Sequence, residues 1–411
     1  MSTLERTDGV YHGWVVVAGC FLGSFVVFGL SYSFGVFYEP MLAAFGASRS
    51  VTSMAFGVQT AALYAGAVGI GALVDRYGTR PALAVGAVLL CGGLVWTSRA
   101  GSMLGVVVAY GLVVGVGLSV VYVVAYATPA RWFDRRVGQA SGLASAGLGV
   151  GMLVVSPVAT ELVARVGWRD AMVALAAGVG VVLLAALALI RGEPTPAEAP
   201  DAEFPNGFGG DASAGGWRAQ FGDVASVATT RTFALAFLGW TLVYATLYVV
   251  LVNLVLYAQD VGLSRSVGAT GIALVGVASA TGRVGIGFLG DRLGRTRVFV
   301  ACSAVMGLAT VALSGTGTAL GLWTFALVYG LAYGGNGALL APLTADLFGR
   351  EQLNAVFGLI SVSFGVSGSV APYLAGVGYA RFGTYDPVFV AAGAVAVVGA
   401  AAVGIVDRVQ T

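Results

Sequence analysis

Lysine does not occur in this chain: all 21 basic residues among its 411 are arginines. Histidine is almost as scarce, with His12 alone, and the three cysteines, Cys20, Cys91 and Cys302, stand far apart in separate apolar runs. These shortages exclude a histidine metal cluster, a Cys/His or Ser/His nucleophile pair, and the close cysteine spacing of zinc sites and disulfide frameworks. Charge as a whole is thin, at 10% of residues against the roughly 25% of soluble domains. With a net charge of +2 and arginines scattered along the chain, nothing marks a nucleic-acid surface. The Gly-rich run GLGVGM at 147–152 follows no strand pattern and lies inside an apolar helix pattern. It reads as helix packing rather than a dinucleotide loop, and no cofactor is implied.

What fills the sequence instead is apolar, with 58% hydrophobic residues and a mean hydropathy of +0.90. A core packed in water would leave too little polar surface to cover it, so the expected solvent is a lipid bilayer. Runs of about 20 apolar residues cross the ~30 Å hydrocarbon layer as helices. They fall at 13–37, 51–74, 81–98, 102–128, 137–162, 169–190, 233–258, 267–290, 298–315, 319–346, 353–379 and 386–406. The expected fold is therefore an all-α membrane protein with twelve transmembrane helices. The first run is longer than a signal-peptide core and lacks a small-residue cleavage site, so it is expected to stay as a helix.

Between the sixth and seventh runs lies RGEPTPAEAPDAEFPNGFGGDASAGGWRAQFGDVASVATTR, rich in Pro, Gly, Ala and acid. Such a segment cannot bury enough apolar surface to offset its ordering entropy. It divides six helices from six, which sets the expected organisation: a six-helix bundle over 1–190, a linker over 191–231 and a second bundle over 232–411. With the N-terminus cytoplasmic, 14 of the 21 arginines fall on that side and six on the other, the bias that orients helical membrane proteins. Both termini and the linker are then expected in the cytoplasm, with the chain in a cell inner membrane.

Two charged segments interrupt the apolar text. GALVDRYGTRP at 71–81 and GFLGDRLGRTR at 287–297 each follow the second run of their half, with 216 residues from Asp75 to Asp291. A second echo pairs WFDRRVGQASGLASAGLGVGMLVVSP, opening the fifth run, with LFGREQLNAVFGLISVSFGVSGSVAP, opening the eleventh; they end in Pro157 and Pro372. The chain thus contains a duplicated six-helix unit, and its small residues let neighbouring helices approach closely.

The two charged segments resemble the loop motif G-x-x-x-D-R-x-G-R-R of the major facilitator superfamily, and helix number, duplication and linker extend that resemblance over the whole chain. Within the superfamily, YHGWVVVAGCFLGSF, SYSFGVFYEPM, FGASRSVTS, RWFDRRVGQASGLASAGLGVG and APLTADLFGR together look like the monocarboxylate transporter and oxalate/formate antiporter group. The superfamily resemblance implies two bundles that rock in alternating access. It also implies that Asp75 faces the N-terminus of the eleventh helix and Asp291 that of the fifth, where helix dipoles favour negative charge. Arg76, Arg80, Arg292 and Arg297 would complete charge networks that break when the cavity opens inward. Read on their own, the same residues are solvated turns on the positive-inside face.

Arg283 lies eight residues before Asp291, about 12 Å deeper along the helix. An arginine there costs on the order of 2.5–3.5 kcal/mol on the insertion scale. Ala67 occupies the equivalent place in the first half, so the scaffold needs no cation at that depth. The resemblance to the monocarboxylate group implies that Arg283 receives a substrate carboxylate, a task suited to the planar guanidinium fork; snorkelling to the inner interface is the alternative. The chain departs from that group at Ser279, one turn before Arg283, where animal members often carry an acid, and in lacking any membrane lysine. No acid lies deep in a predicted helix, Glu39 and Asp346 being near helix ends. Proton symport, facilitated diffusion and exchange with a counter-anion therefore stay open.

Further polar candidates for the cavity are Tyr122 and Tyr126, one turn apart on the fourth helix, Tyr333 and Asn336 on the tenth, Tyr32 on the first and Tyr248 on the seventh. Tyrosines can donate to a carboxylate or simply pack. The expected function is a secondary active or facilitative transporter of small organic anions, monocarboxylates such as lactate, pyruvate, formate or acetate first, with a proton or counter-anion as the other partner. An exporter of apolar drugs and a dicarboxylate/monocarboxylate antiporter are the alternatives. The missing His and acid clusters disfavour an enzyme, and the absence of a folded extramembrane domain disfavours a non-transporting receptor.

Overall fold

The computed structural model describes residues 11–47, 49–133, 135–192, 225–350 and 353–410. Most of the expected linker, 193–224, lies outside the described residues. Helix α1 spans His12–Tyr32 and continues past Ser33 as Phe34–Phe45. It is followed by α2 (Arg49–Tyr77), α3 (Thr79–Ser98) and α4 (Met103–Trp132), the last containing a π-helical stretch at Val107–Val114. The 53-residue stretch Val137–Leu189 is two helices, because Gly167 (φ 80°, ψ 165°) turns the chain between α5 (137–166) and α6 (168–189). The second half repeats the series with α7 (Arg231–Asp260), α8 (Arg265–Leu293) and α9 (Arg295–Leu313). Helix α10 (Ala319–Ala338) continues past Leu339 as Leu340–Phe348, and α11 (Leu353–Phe382) and α12 (Asp386–Gln410) complete the set. Each of the twelve expected runs falls on one of these helices to within two residues at any end that it overshoots.

Large apolar side chains point outward all around the molecule, among them Leu320 (73% exposed), Val88 (72%) and Leu104 (69%). In water such a surface would be an aggregation site; against lipid tails it costs nothing. The chain is a multi-pass membrane protein built as two six-helix bundles, α1–α6 and α7–α12, that meet where α2 packs along α11 and α5 along α8.

The duplication seen in the sequence is also a duplication of backbone contacts. A Cβ on Gly71 would lie 2.2 Å from the Asn354 carbonyl oxygen, and one on Gly287 would lie 2.4 Å from that of Gly138. A Cβ on Gly358 would lie 2.0 Å from the Ala67 oxygen, and one on Gly142 would lie 2.0 Å from the Arg283 oxygen. Each of these residues has its counterpart 216 positions along the chain. Only glycine permits such approach, and together these contacts close one end of the interface between the halves. Toward the other end, Gly57 on α2 and Gly276 on α8 face open space. The two halves therefore form a V, shut at the end that carries Asp75 and Asp291.

The motif glycines have a separate reason. Gly78, between α2 and α3, and Gly294, between α8 and α9, hold φ at 87° and 95°, a region open to glycine and strained for residues with a Cβ. Each lets a helix end two residues after its aspartate and the next begin at once.

Candidate binding site and its closed end

At the vertex of the V lies a small chamber of about 30 Å³ that draws on both halves. Its walls are Phe28 and Tyr32 from α1, Tyr64 from α2, Tyr122 and Tyr126 from α4, and Leu148 from α5. The other half supplies Tyr244, Leu247 and Tyr248 from α7, Arg283 from α8, Tyr333, Gly337 and Leu340 from α10 and its continuation, and Phe364 from α11. Above it a cavity of about 870 Å³ widens between the halves and shares Phe28, Tyr32, Tyr64 and Tyr248 with the chamber. Its lining is mainly apolar, with Ser31, Gln59, Thr60 and Ser369 as polar exceptions. The junction of cavity and chamber is thus walled by aromatic rings, with one guanidinium in the chamber lining.

Arg283 is 2% exposed. Its Cζ lies 5.4 Å from the centre of the Tyr333 ring, a cation–π approach. Its Nε and Nη1 find no hydrogen-bond partner. That is unusual for buried charge, which is normally paired, and it leaves donor capacity unused on a residue that lines the chamber. Gly337 makes the position possible: a Cβ there would fall 2.8 Å from Nη2 and 2.9 Å from Nη1.

The tyrosines are fixed by their neighbours. Tyr126 and Tyr122 stack on Phe357 of α11, with ring centres 6.1 and 5.6 Å apart respectively, and the Tyr122 hydroxyl meets Ser361 Oγ at 3.2 Å. This α4–α11 contact joins the halves beside the chamber. Tyr244 packs edge-on against Phe364 at 4.4 Å and donates from its hydroxyl to Asn336 Oδ1. Asn336 in turn donates from Nδ2 to Ser303 Oγ at 2.6 Å.

Of the residues expected at the site, Arg283, Tyr32, Tyr122, Tyr126, Tyr248 and Tyr333 line the chamber. Ser279 and Asn336 do not. Ser279 is fully buried where α8 crosses α10, with its backbone against Gly334, because helix packing takes the face one turn from Arg283. Asn336 is committed to Tyr244 and Ser303 and acts behind the wall. Sequence reasoning passed over Phe28, Tyr64, Tyr244, Leu148, Gly337 and Phe364. For four of these the repeat held a signal: Phe28 and Tyr244 are 216 residues apart, as are Tyr32 and Tyr248, and Leu148 and Phe364. Phe28 and Tyr244 also precede Tyr32 and Tyr248 by four residues, hence one turn on the same face.

The closed end has two aspartates set at helix starts. Asp75 accepts from Ala355 N at 3.0 Å and Asn354 Nδ2 at 2.6 Å in the first turn of α11, and pairs with Arg131 from the end of α4. Asp291 accepts from Gly138 N at 2.8 Å and Gln139 N at 3.0 Å in the first turn of α5, and its cation is Arg295 at 3.2 Å. Arg295 also reaches Asp346 at 2.7 Å. Neither Arg131 nor Arg295 is among the arginines expected there. Arg80, Arg292 and Arg297 are exposed, Arg292 lying over the Phe288 ring at 4.2 Å and Arg297 bordering an outer apolar groove. Arg76 is half-buried near Tyr77, 6.0 Å from its ring centre. Arg131 and Arg295 approach the aspartates from neighbouring elements.

Comparison with known proteins follows the same architecture. A family model described as Major Facilitator Superfamily matches residues 20–285 and 236–410. Among curated proteins the chain is similar to monocarboxylate transporter 13 of Bos taurus, 27% identical over 96% of this chain and 89% of that one. It is also similar to monocarboxylate transporter 11 of Mus musculus, 30% identical over 89% of this chain and 80% of the relative. Among solved structures it resembles FucP, a Major Facilitator Superfamily transporter in the outward conformation, with a TM-score of 0.74, 13% identity, and coverage of 97% of this chain and 99% of that one.

Proposed function

From the premise that the chain belongs to the Major Facilitator Superfamily, we propose that it transports small monocarboxylates such as lactate, pyruvate, formate or acetate, with the substrate carboxylate seated on Arg283. The observation that carries this reading is the buried guanidinium whose Nε and Nη1 have no partner at the foot of an open cavity. One planar cation with free donors matches one carboxylate in charge and geometry, and the surrounding aromatic rings and leucine side chains suit a short alkyl remainder. The relatives named as monocarboxylate transporters support the same substrate class.

In this reading residues 1–190 and 232–411 rock about the chamber, joined by the linker over 191–231. The end carrying Asp75 and Asp291 faces the cytoplasm, as do both termini, and the membrane is a cell inner membrane; the described conformation is then open to the outside. Opening inward separates Asp75 from Asn354 and Ala355, and Asp291 from Gly138 and Gln139. The acids thus act as latches on α11 and α5, where the helix dipole strengthens them. The wide, mainly apolar cavity of about 870 Å³ favours a second reading, export of apolar drugs, in which Arg283 is incidental. Counterflow of labelled lactate in proteoliposomes separates the two. Accumulation of label supports the monocarboxylate reading, whereas no counterflow with any of the four acids, together with transport of an apolar dye, replaces it with the export reading.

A further inference from the structure

Away from the chamber, α8, α9 and α10 of the second half leave a groove of about 600 Å³. It shares no lining residue with the chamber or with the cavity above it. Cys302 of α9 and Ala332 of α10 are buried in its lining, while Leu293 of α8, Val305 of α9 and Val328 of α10 stand exposed around them. The groove therefore opens on the surface that faces lipid.

Its charge is placed at one end. Among the described residues Arg297 is the single charged group of the lining, and no acid accompanies it there. Arg297 is the third residue of α9, at the closed end of the V. Val305, eight residues on, lies about 12 Å deeper, and on α8 the lining runs back from Leu293 to Ile286 over about 10 Å. The apolar part thus spans roughly the depth of one leaflet of a ~30 Å hydrocarbon layer. A transmembrane helix of a partner protein would cross the whole layer, whereas a lipid occupies one leaflet with its head at the surface. The repeated scaffold does not require this cation, since the place equivalent to Arg297 in the first half is held by Pro81.

Apolar contact alone cannot select one molecule for the groove, because the tails that surround the protein are as apolar as its leucines. Selection falls to the head group. A guanidinium donates paired hydrogen bonds to a phosphate, and a phosphate whose lipid carries no ammonium keeps its whole charge for that contact. We infer that the groove holds one anionic phospholipid, its phosphate on Arg297 and an acyl chain lying along α8 and α9. The site is independent of what the chamber carries.

The test uses the full-length protein, delipidated in detergent and equilibrated at low ionic strength with equal amounts of phosphatidylglycerol and phosphatidylcholine of the same acyl chains. Native mass spectrometry identifies the first lipid retained per chain. Wild type is expected to favour phosphatidylglycerol by at least about fivefold, the equivalent of about 1 kcal/mol for one basic side chain at an anionic head group. Arg297→Gln should bring the ratio close to one. Arg80→Gln, at an exposed arginine of the same end outside the groove, should leave it unchanged. Ala301→Trp fills the groove without altering charge and should lose the retained lipid; if its melting curve shows that it does not fold, the two arginine variants decide alone. Equal effects of Arg297→Gln and Arg80→Gln, or a lipid retained unchanged in folded Ala301→Trp, reduce the preference to diffuse surface charge and overturn the site. Displacement by equimolar inorganic phosphate leaves an anion site and overturns the lipid. Chain pairs that Ala301→Trp separates make the groove an interface between copies and overturn the inference as well.

Discussion

Gly142 of α5 lies so close to Arg283 of α8 that a Cβ on the glycine would stand 2.0 Å from the arginine's carbonyl oxygen. The symmetric contact joins Gly358 and Ala67 at the same 2.0 Å. The two halves therefore hold identical backbone geometry at this depth, and what differs is the side chain: a methyl group in one half and a guanidinium in the other. A cation that the repeated scaffold does not need, placed where it costs most, is the residue on which the proposed carboxylate site rests.

Gly337 faces that guanidinium from α10, and Gly337→Ala should separate function from stability. Alanine in a helix interior is about 1 kcal/mol more favourable than glycine, but here its Cβ would meet Nη2 at 2.8 Å and Cζ at 3.0 Å. The guanidinium must move, and misplacement by about 1 Å is worth on the order of 10²-fold in a positioned site. Lactate counterflow is expected to fall at least about tenfold while thermal stability holds or rises. Unchanged counterflow would mean that the guanidinium position is not critical.

The latch aspartates should respond unequally. Asp75 and Arg131 are 3% and 5% exposed, so Asp75→Asn removes one side of a buried pair as well as the charge at the start of α11, a loss of about 3–5 kcal/mol where such pairs are broken. Arg295 is 15% exposed and keeps Asp346 when Asp291 is changed, so Asp291→Asn should shift the conformational equilibrium less. A cysteine placed at Ser361, beside Tyr122, reports the shift. In a background without native cysteines, its labelling from the Asp75 side should rise in both variants and most in Asp75→Asn. Equal, unchanged labelling would reduce both acids to packing roles.

The helices were legible in the sequence because lipid imposes length and apolarity on each span, and a continuous apolar run of about 20 residues satisfies its backbone in lipid as a helix. The duplication was legible through Asp75 and Asp291, since charge is rare enough here for a repeat to stand out. The cations of the two latches were not. Arg131 comes from the end of α4, outside the motif, and Arg295 lies one turn past Asp291 as one of three arginines inside it, and only tertiary packing chooses among nearby arginines on flexible stems. At the chamber, Tyr32 and Tyr248 were visible as polar groups at depth, whereas Phe28 and Phe364 are apolar in an apolar chain and carry no local mark. Asn336 looked like a ligand because it is polar at depth, but its hydrogen bonds go to Tyr244 and Ser303.

Charge counting at the chamber sets substrate preference. With Arg283 as the one cation in its lining among the described residues, a second carboxylate would be desolvated against phenols that offset only part of the cost. Lactate or pyruvate should be favoured over oxalate or malonate by at least about tenfold in competition for counterflow, since even the lower figures for an uncompensated buried polar group exceed 1 kcal/mol. Oxalate competing as well as lactate at neutral pH would require a second cationic contact.

Arg283 itself gives the most direct test. Arg283→Ala should abolish anion transport while leaving expression intact, and it should raise thermal stability, because a charge without a hydrogen-bond partner at Nε and Nη1 leaves the interior. Arg283→Lys keeps the charge and loses the planar fork. It also replaces a planar cation packed against Gly337 and over the Tyr333 ring with a point charge on a flexible stem, so weak activity at most is expected. An arginine that merely snorkels gives the opposite pattern, with lysine substituting well and alanine transporting normally. Uptake and melting temperature measured together on the two variants distinguish these outcomes, and a stable Arg283→Ala protein with normal lactate transport would remove the carboxylate from this site.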